Sequence, residues 1–396
     1  MDFSLSAEQR ALKEAARAFA QAELAPVAAR NDVEGRFPRE ALNRLWELGF
    51  MGMTVPAAYG GGGLDHLSHA LALEEISRAD AATAVIMEVH NTVVCELINR
   101  FGSEEQKAAW LPRLCRGELG AFALTEPLAG SDAGALRTRA ERRGHGYVLH
   151  GSKALITSAG EAALYVLFAV TNVRRGRRGI SAFMLDREMP GLSFGKHEEK
   201  MGIRASVTAS IFLDGVHVGA ERRIGEEGDG YRMALATLDA GRVGIAAQAI
   251  GVGQAALDLA VSYSKQRRQF GHPIAEFQAI QLKLADMAVQ LDAARWLTYR
   301  AAWLNDQPGR HTAEVSKAKL LASETAVRCA DEAVQVHGGY GYLREYGAER
   351  LLRDARITRL YEGTSEIQRL VIAADLLRGT PGGVAATAAM DGGGRA

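Results

Sequence analysis

Residues 121–218 interrupt two long helical stretches with short β-type runs, and that interruption limits what this chain can fold into. Tyr147-Val148-Leu149, Tyr165 to Val170, Ile180 to Leu185 and Ala209 to Leu213 are β-branched or aromatic runs separated by Gly, Asn, Asp or Pro, as strands separated by turns are. On both sides the period changes. Leu12, Ala16 and Phe19 recur at helical spacing behind Ser6-Ala7-Glu8-Gln9, a capping-box pattern with Leu5 placed as a staple, and Pro26 follows. Pro38 opens a helix carrying Leu42, Leu45 and Trp46, and residues 70–76 and 84–101 continue the pattern. Phe277, Ile280, Leu284, Met287 and Leu291 mark a later helix long enough to pack in a bundle. The expected fold is therefore mainly α with a central β-domain. It divides into an N-terminal helical domain over 1–120, a β-domain over 121–230, a helical domain over 231–378 and a Gly/Ala-rich disordered tail over 379–396.

Composition narrows the partners. The 47 basic and 47 acidic residues cancel, which argues against a nucleic-acid binder. The three cysteines, Cys95, Cys115 and Cys329, are far apart, so a reducing compartment is expected. Met1 to Ser4 lacks the start of a signal peptide, and no uncharged apolar stretch reaches the ~18 residues of a membrane span. A cytoplasmic protein without a membrane partner is expected.

Several motifs carry less than they suggest. Gly251-x-Gly253-x-x-Ala256 fits a dinucleotide fingerprint, but helix rather than strand precedes it, so close helix packing explains it better. His66-x-x-His69 has no further ligands nearby in the sequence, so no metal site is expected. Ser131 lies in no nucleophile elbow. Arg174-Arg175-Gly176-Arg177-Arg178 reads as a solvated hairpin loop.

Three stretches carry more. Glu362 stands in Leu360-Tyr361-Glu362-Gly363-Thr364-Ser365, just before a helix whose Ser365-x-x-Gln368 suggests a capping box. Two readings stand: a solvated loop carboxylate, or a carboxylate beside free N–H groups that hold an anion or polarised carbonyl. Gln335 to Tyr342 breaks a helix with Gly338-Gly339, a place suited to a phosphate or ring passing the backbone, though on these residues alone an ordinary helix-helix turn is the better reading. Residues 123–134, dense in small and hydroxyl side chains, are a cofactor loop or simply a loop.

In this order the three stretches resemble the acyl-CoA dehydrogenase family over about Met1 to Arg378. Leu124-Thr125-Glu126-Pro127-x-x-Gly130-Ser131-Asp132, Gln335 to Asp354, and Tyr361 to Ser365 are similar to its signature segments, as are Arg267-x-Gln269-Phe270-Gly271 and Phe277-Gln278. Lys196 to Gly202 and Leu238 to Arg242 are similar to the short-chain (butyryl-CoA) branch. The resemblance implies a small central β-barrel, a C-terminal four-helix bundle and a homotetramer. It implies FAD lying between subunits, acyl-CoA substrates, and electron-transferring flavoprotein as acceptor. It implies Glu362 as the base and short straight chains, butyryl to hexanoyl, as substrates. Cofactor contacts carry over to Leu124, Thr125, Ser131, Thr157, Arg267, Gln278, Gln335, Gly338, Gly339, Thr364, Ser365 and Glu366. Substrate contacts carry over to Ser131, Asp239, Arg242 and Gly363. Glu88, His90, Asn91 and Val94 fall near the expected pocket floor. Some branches place the base on the long helix; Gly241 occupies that position here. Leu155 stands where the family often has tryptophan.

Overall fold

A computed structural model describes residues 4–378, and the chain is mostly helical around a central mixed sheet. Helix α1 (Ala7–Phe19) starts at the anticipated box: the Ser6 hydroxyl accepts from the Gln9 N–H and the Gln9 side chain accepts from the Ser6 N–H, both at 3.1 Å. The helical path does not stop before Pro26. A π turn over Ala20–Leu24 leads into α2 (Ala25–Glu34), where Pro26 sits in the first turn and its missing N–H costs nothing. There follow α3 (Arg39–Glu47), α4 (His66–Ala79) and α5 (Ala81–Glu88). The last runs through a second π turn, Val89–Cys95, into α6 (Glu96–Phe101), and α7 (Glu104–Cys115) closes the segment. Such π turns often mark functional sites, and this one begins directly after Glu88.

The middle segment holds β1 (Gly120–Ala123), β2 (Arg139–Arg143), β3 (Gly146–Thr157), β4 (Leu164–Val170), β5 (Ile180–Asp186), β6 (Leu192–Phe194), β7 (Thr208–Gly219) and β8 (Arg223–Ile224). The four anticipated runs are β3, β4, β5 and β7. The remaining strands are short or polar; β2 buries only Ala140, so no alternation announces it. The order is β6-β7-β3-β2-β4-β5-β8, with β1 parallel to β4. Tyr165, Phe168 and Phe183 fill its interior without solvent exposure. Val173–Gly179, the arginine-rich run, is the β4–β5 connection.

Helix α8 (Gly230–Gln266) then spans the molecule. A two-strand hairpin, β9 (Arg268–Gln269) with β10 (His272–Pro273), leads to α9 (Gln278–Asn305), α10 (Thr312–His337), α11 (Ala348–Ile357) and α12 (Ser365–Arg378). Helices α8, α9 and α10 pack on one another, α10 also carries α11 and α12, and α8 lies along α4. Glycines make the α8 contacts close. A Cβ on Gly251 would meet Ser77 Cβ at 2.7 Å, and one on Gly253 would meet Leu291 Cδ2 at 2.7 Å. The dinucleotide-like pattern is thus a helix-packing stripe. Two helical runs, Ala81–Phe101 and Gly230–Gln266, are long and apolar enough by length and composition to cross a membrane when a few charged residues are allowed, although neither holds an uncharged run of about 18 residues. Within this fold their most apolar windows are 94% and 72% buried. The tail read as disordered, 379–396, lies outside the described residues.

Candidate active site

The loop between α11 and α12 carries Glu362 in a strained backbone. Its φ is 52°, in the left-handed region that a side chain disfavours, and Gly363 follows at 96°. Side chains from three helices hold this conformation by its carbonyls. Arg242 Nε donates to the Glu362 carbonyl at 3.2 Å, Lys319 Nζ to the Gly363 carbonyl at 2.8 Å, and Gln368 Nε2 to both, at 3.3 and 2.9 Å. Arg242 is itself held by Asp239, whose other oxygen accepts from the Thr312 hydroxyl at 2.6 Å. Both Asp239 oxygens are thereby committed to the scaffold. The anticipated Ser365/Gln368 capping box does not form. Thr364 caps α12 by accepting from the Ile367 N–H at 3.3 Å, and Gln368 is turned back onto the loop instead. The Ser365 hydroxyl is buried without a partner. Among the described residues the Glu362 N–H makes no hydrogen bond within the protein.

The Glu362 carboxylate points at α8. A Cβ on Gly241 would overlap Glu362 Oε2, and one on Gly244, a turn further along, would meet Glu88 Cγ at 2.6 Å and Oε1 at 2.8 Å. Two glycines on one helix face therefore seat two carboxyl groups. Oε2 of each is buried without a donor. Burial pushes the Glu362 carboxyl up, while Glu88, Lys319 and Arg242 act to lower it. Glu88, fully buried, is raised further by its own burial and then by the Glu362 charge. Tyr361 donates to Gln248 and is pushed up by burial and by both carboxylates. Burial lowers Lys319 to about 8, with Glu362 opposing.

Of the four expected floor residues, only Glu88 is shown against Glu362. His90 accepts from the Gly120 N–H at 3.2 Å and is kept neutral by burial. Asn91 is spent on the preceding loop, accepting from the Gly52 and Met53 N–H groups and donating to the Phe50 carbonyl. Val94 packs on Gly120.

The other sequence-selected residues fall into separate places. Leu124 and Thr125 lie in the loop after β1, which Lys153 fixes from β3: its Nζ donates to the Leu124 carbonyl at 3.1 Å and to Glu126 at 2.8 Å, and Ala154 N–H donates to the Thr125 carbonyl. Ser131 is exposed further along this loop, and Thr157 ends β3. Leu155 projects from β3 at 66% exposure with a φ of 57°. Arg267, Gln335, Gly338 and Gly339 do come together, around a pocket of about 400 Å³ also lined by Tyr263 and His337. Gln278 is exposed at the start of α9, outside that lining.

That pocket suits a flavin nucleotide. The Arg267 guanidinium lies over the Tyr340 ring, 5.2 Å from its centroid, and among the described residues no carboxylate pairs with it, so its N–H groups can meet a phosphate. Gly338, at φ 60°, and Gly339 have nothing within 4 Å of where a Cβ would stand, so a ring or phosphate can pass the backbone closely.

The chain, helical on either side of a sheet and with a buried carboxylate on a strained loop, matches three consecutive family descriptions. These are acyl-CoA dehydrogenase N-terminal domain over residues 6–118, middle domain over 121–216 and C-terminal domain over 228–377. The chain belongs to the acyl-CoA dehydrogenase family. It is 50% identical to the mitochondrial short-chain specific acyl-CoA dehydrogenase of Mus musculus, over 93% of this chain and 89% of that protein. Among solved structures, butyryl-CoA dehydrogenase from Megasphaera elsdenii superposes with a TM-score of 0.94 at 44% identity, covering 96% of this chain and all of the other. A chain from work on the electron transferring flavoprotein of Acidaminococcus fermentans and flavin-based electron bifurcation gives the same TM-score, identity and coverage.

Proposed function

We propose that this protein is an FAD-dependent short-chain acyl-CoA dehydrogenase, converting a saturated acyl-CoA to the trans-2-enoyl-CoA and passing the electrons to electron-transferring flavoprotein. The observation that carries the reading is the Glu362 carboxylate, held on a strained loop with an orphaned, desolvated oxygen. An α-proton beside a thioester is weakly acidic, so the base has to be strong and the developing enolate has to be stabilised. Desolvation raises the basicity of Glu362, and Lys319 and Arg242 limit that rise enough to keep it ionisable. The unused Glu362 N–H is a donor for the thioester carbonyl, where negative charge accumulates. Arg242, Gln368 and Lys319 restrain the two loop carbonyls, so the base stays positioned as the proton moves. FAD, when bound, supplies the acceptor for the β-hydride and a ribityl hydroxyl as a second carbonyl donor.

Arg267, Gln335, Gly338 and Gly339, with Gln278, serve the nucleotide end of FAD. Leu124, Thr125, Ser131, Thr157, Thr364, Ser365 and Glu366 serve its flavin side, and Ser131, Asp239, Arg242 and Gly363 face the acyl-CoA, Asp239 through Arg242. This division follows from FAD lying between subunits. The sheet acts as the small barrel, and α8, α9, α10 and α12 as the bundle, of a cytoplasmic homotetramer divided near residues 120 and 230. In support of assembly, Leu282, Val289, Trp296 and Trp303 recur every seventh residue on α9 and are 61%, 69%, 47% and 54% exposed.

Steady-state reduction of electron-transferring flavoprotein across an acyl-CoA series tests the function. A maximum of kcat/KM at butyryl- or hexanoyl-CoA supports it; a maximum at palmitoyl-CoA overturns the short-chain assignment, and hydrogen peroxide as main product overturns the acceptor.

A further inference from the structure

Glu88 is unusual for a core position. It is a carboxyl with no solvent exposure at the last helical residue before a π turn. Its Oε1 accepts from the Thr92 hydroxyl, and its Oε2 has no donor. Gly244 leaves the room it occupies, as Gly241 leaves the room for Glu362. Two titratable neighbours face it. Glu362 and Tyr361 reach it from the loop, and among the described residues no cation acts on it; Lys319 on α10 and Arg242 on α8 act on Glu362 instead. Two carboxylates in one dry cleft repel each other, which favours a single proton held by the pair, on the member without cations beside it.

We propose that Glu88 is a positioning residue for Glu362: as a neutral carboxylic acid it donates a hydrogen bond to the Glu362 carboxylate and holds it in the cleft formed by Gly241 and Gly244. The inference rests on Glu362 being the base. It deepens that reading by giving the base a proton-sharing partner that pulls its oxygen towards α8 until acyl-CoA arrives. The donor lowers the proton affinity of Glu362 at no cost in charge. Loss of the shared proton at high pH would leave two repelling carboxylates at the acyl site.

Two variants separate the roles of the acid. Glu88→Gln keeps a donor but cannot ionise; Glu88→Ala has neither. In kcat/KM profiles with butyryl-CoA, E88Q should keep the acid limb in place and lose the alkaline limb. E88A should move the acid limb upward by about one pH unit, a tenfold loss on that side. Infrared difference spectra of wild type against E88Q, taken on the holoenzyme without substrate, should show a protonated-carboxyl band in wild type only. Profiles superimposable on wild type for both variants, or no protonated-carboxyl band, would overturn the proposal. An active E362Q would instead overturn the base assignment, so the two failures are distinguishable.

Discussion

A side chain at Gly241 and the carboxylate of Glu362 are mutually exclusive: a Cβ on Gly241 would occupy the place of Glu362 Oε2 and stand 2.8 Å from Val93 Cγ1. The base can lie against α8 only because this position is glycine. Gly241→Ala should therefore displace the carboxylate and cut kcat with butyryl-CoA by roughly 10²-fold. Its melting temperature should fall modestly, since overpacking costs about 1–3 kcal/mol. Single-turnover flavin bleaching separates the two effects, because a merely unstable variant still reduces its flavin at the normal rate.

Glu362 should also cost the enzyme stability. Burial raises its folded-state pKa above the ordinary carboxylate range, so between those values the folded chain binds more protons than the unfolded one. Stability then falls as pH rises through that window, and the full penalty remains above it. Glu362→Gln should melt higher than wild type at neutral and alkaline pH, with the difference shrinking towards acid. Thermal unfolding across pH checks both the sign and the window.

Lys319 works on the same carboxylate from α10. Burial brings it down to about 8, yet it donates to the Gly363 carbonyl. Lys319→Met removes a cation that lowers the Glu362 pKa, so the acid limb of kcat/KM should move to higher pH. Wild-type stability should rise with pH above about 8, where the folded chain has released this proton and the unfolded chain has not. The variant should lose the Lys319 share of that rise and keep the part that Lys153, also brought down to about 8, contributes.

Much of this was legible in the sequence. The switch from helical to strand period located β3, β4, β5 and β7, and the order of three motifs placed Glu362 before a helix. The misses share a physical origin. The helical spacing read through Phe19 does not show that the path continues past Pro26, because sequence does not reveal the π turn that resets the register just before it. Ser365-x-x-Gln368 fits a capping box in spacing, but Gln368 is better used on two orphan carbonyls of the strained loop. Lys319 and Gly244 carry no local signal at all. Their roles arise from α8, α10 and the Glu362 loop meeting in space, as does the pairing of Glu88 with a carboxylate far away in the chain.

The cofactor-side loop offers a stability test. Lys153, fully buried and brought down to about 8 by that burial, ties β3 to Glu126 and the Leu124 carbonyl. Glu126 keeps two backbone donors, Arg137 N–H at 2.7 Å and Thr138 N–H at 3.0 Å. Lys153→Met leaves a buried, unpaired carboxylate and should cost about 3–5 kcal/mol. Adding Glu126→Gln should recover part of the loss. Chemical denaturation of the two variants, with FAD content measured alongside, decides whether this pair also secures the flavin loop.

The most direct test of the central claim is flavin reduction by butyryl-CoA in Glu362→Gln under anaerobic stopped flow. The variant should purify with FAD, bind acyl-CoA, and bleach its flavin at least ~10²–10⁴-fold more slowly than wild type, the usual cost of losing a general base. Bleaching at a near wild-type rate would show that another group takes the α-proton and would contradict the account.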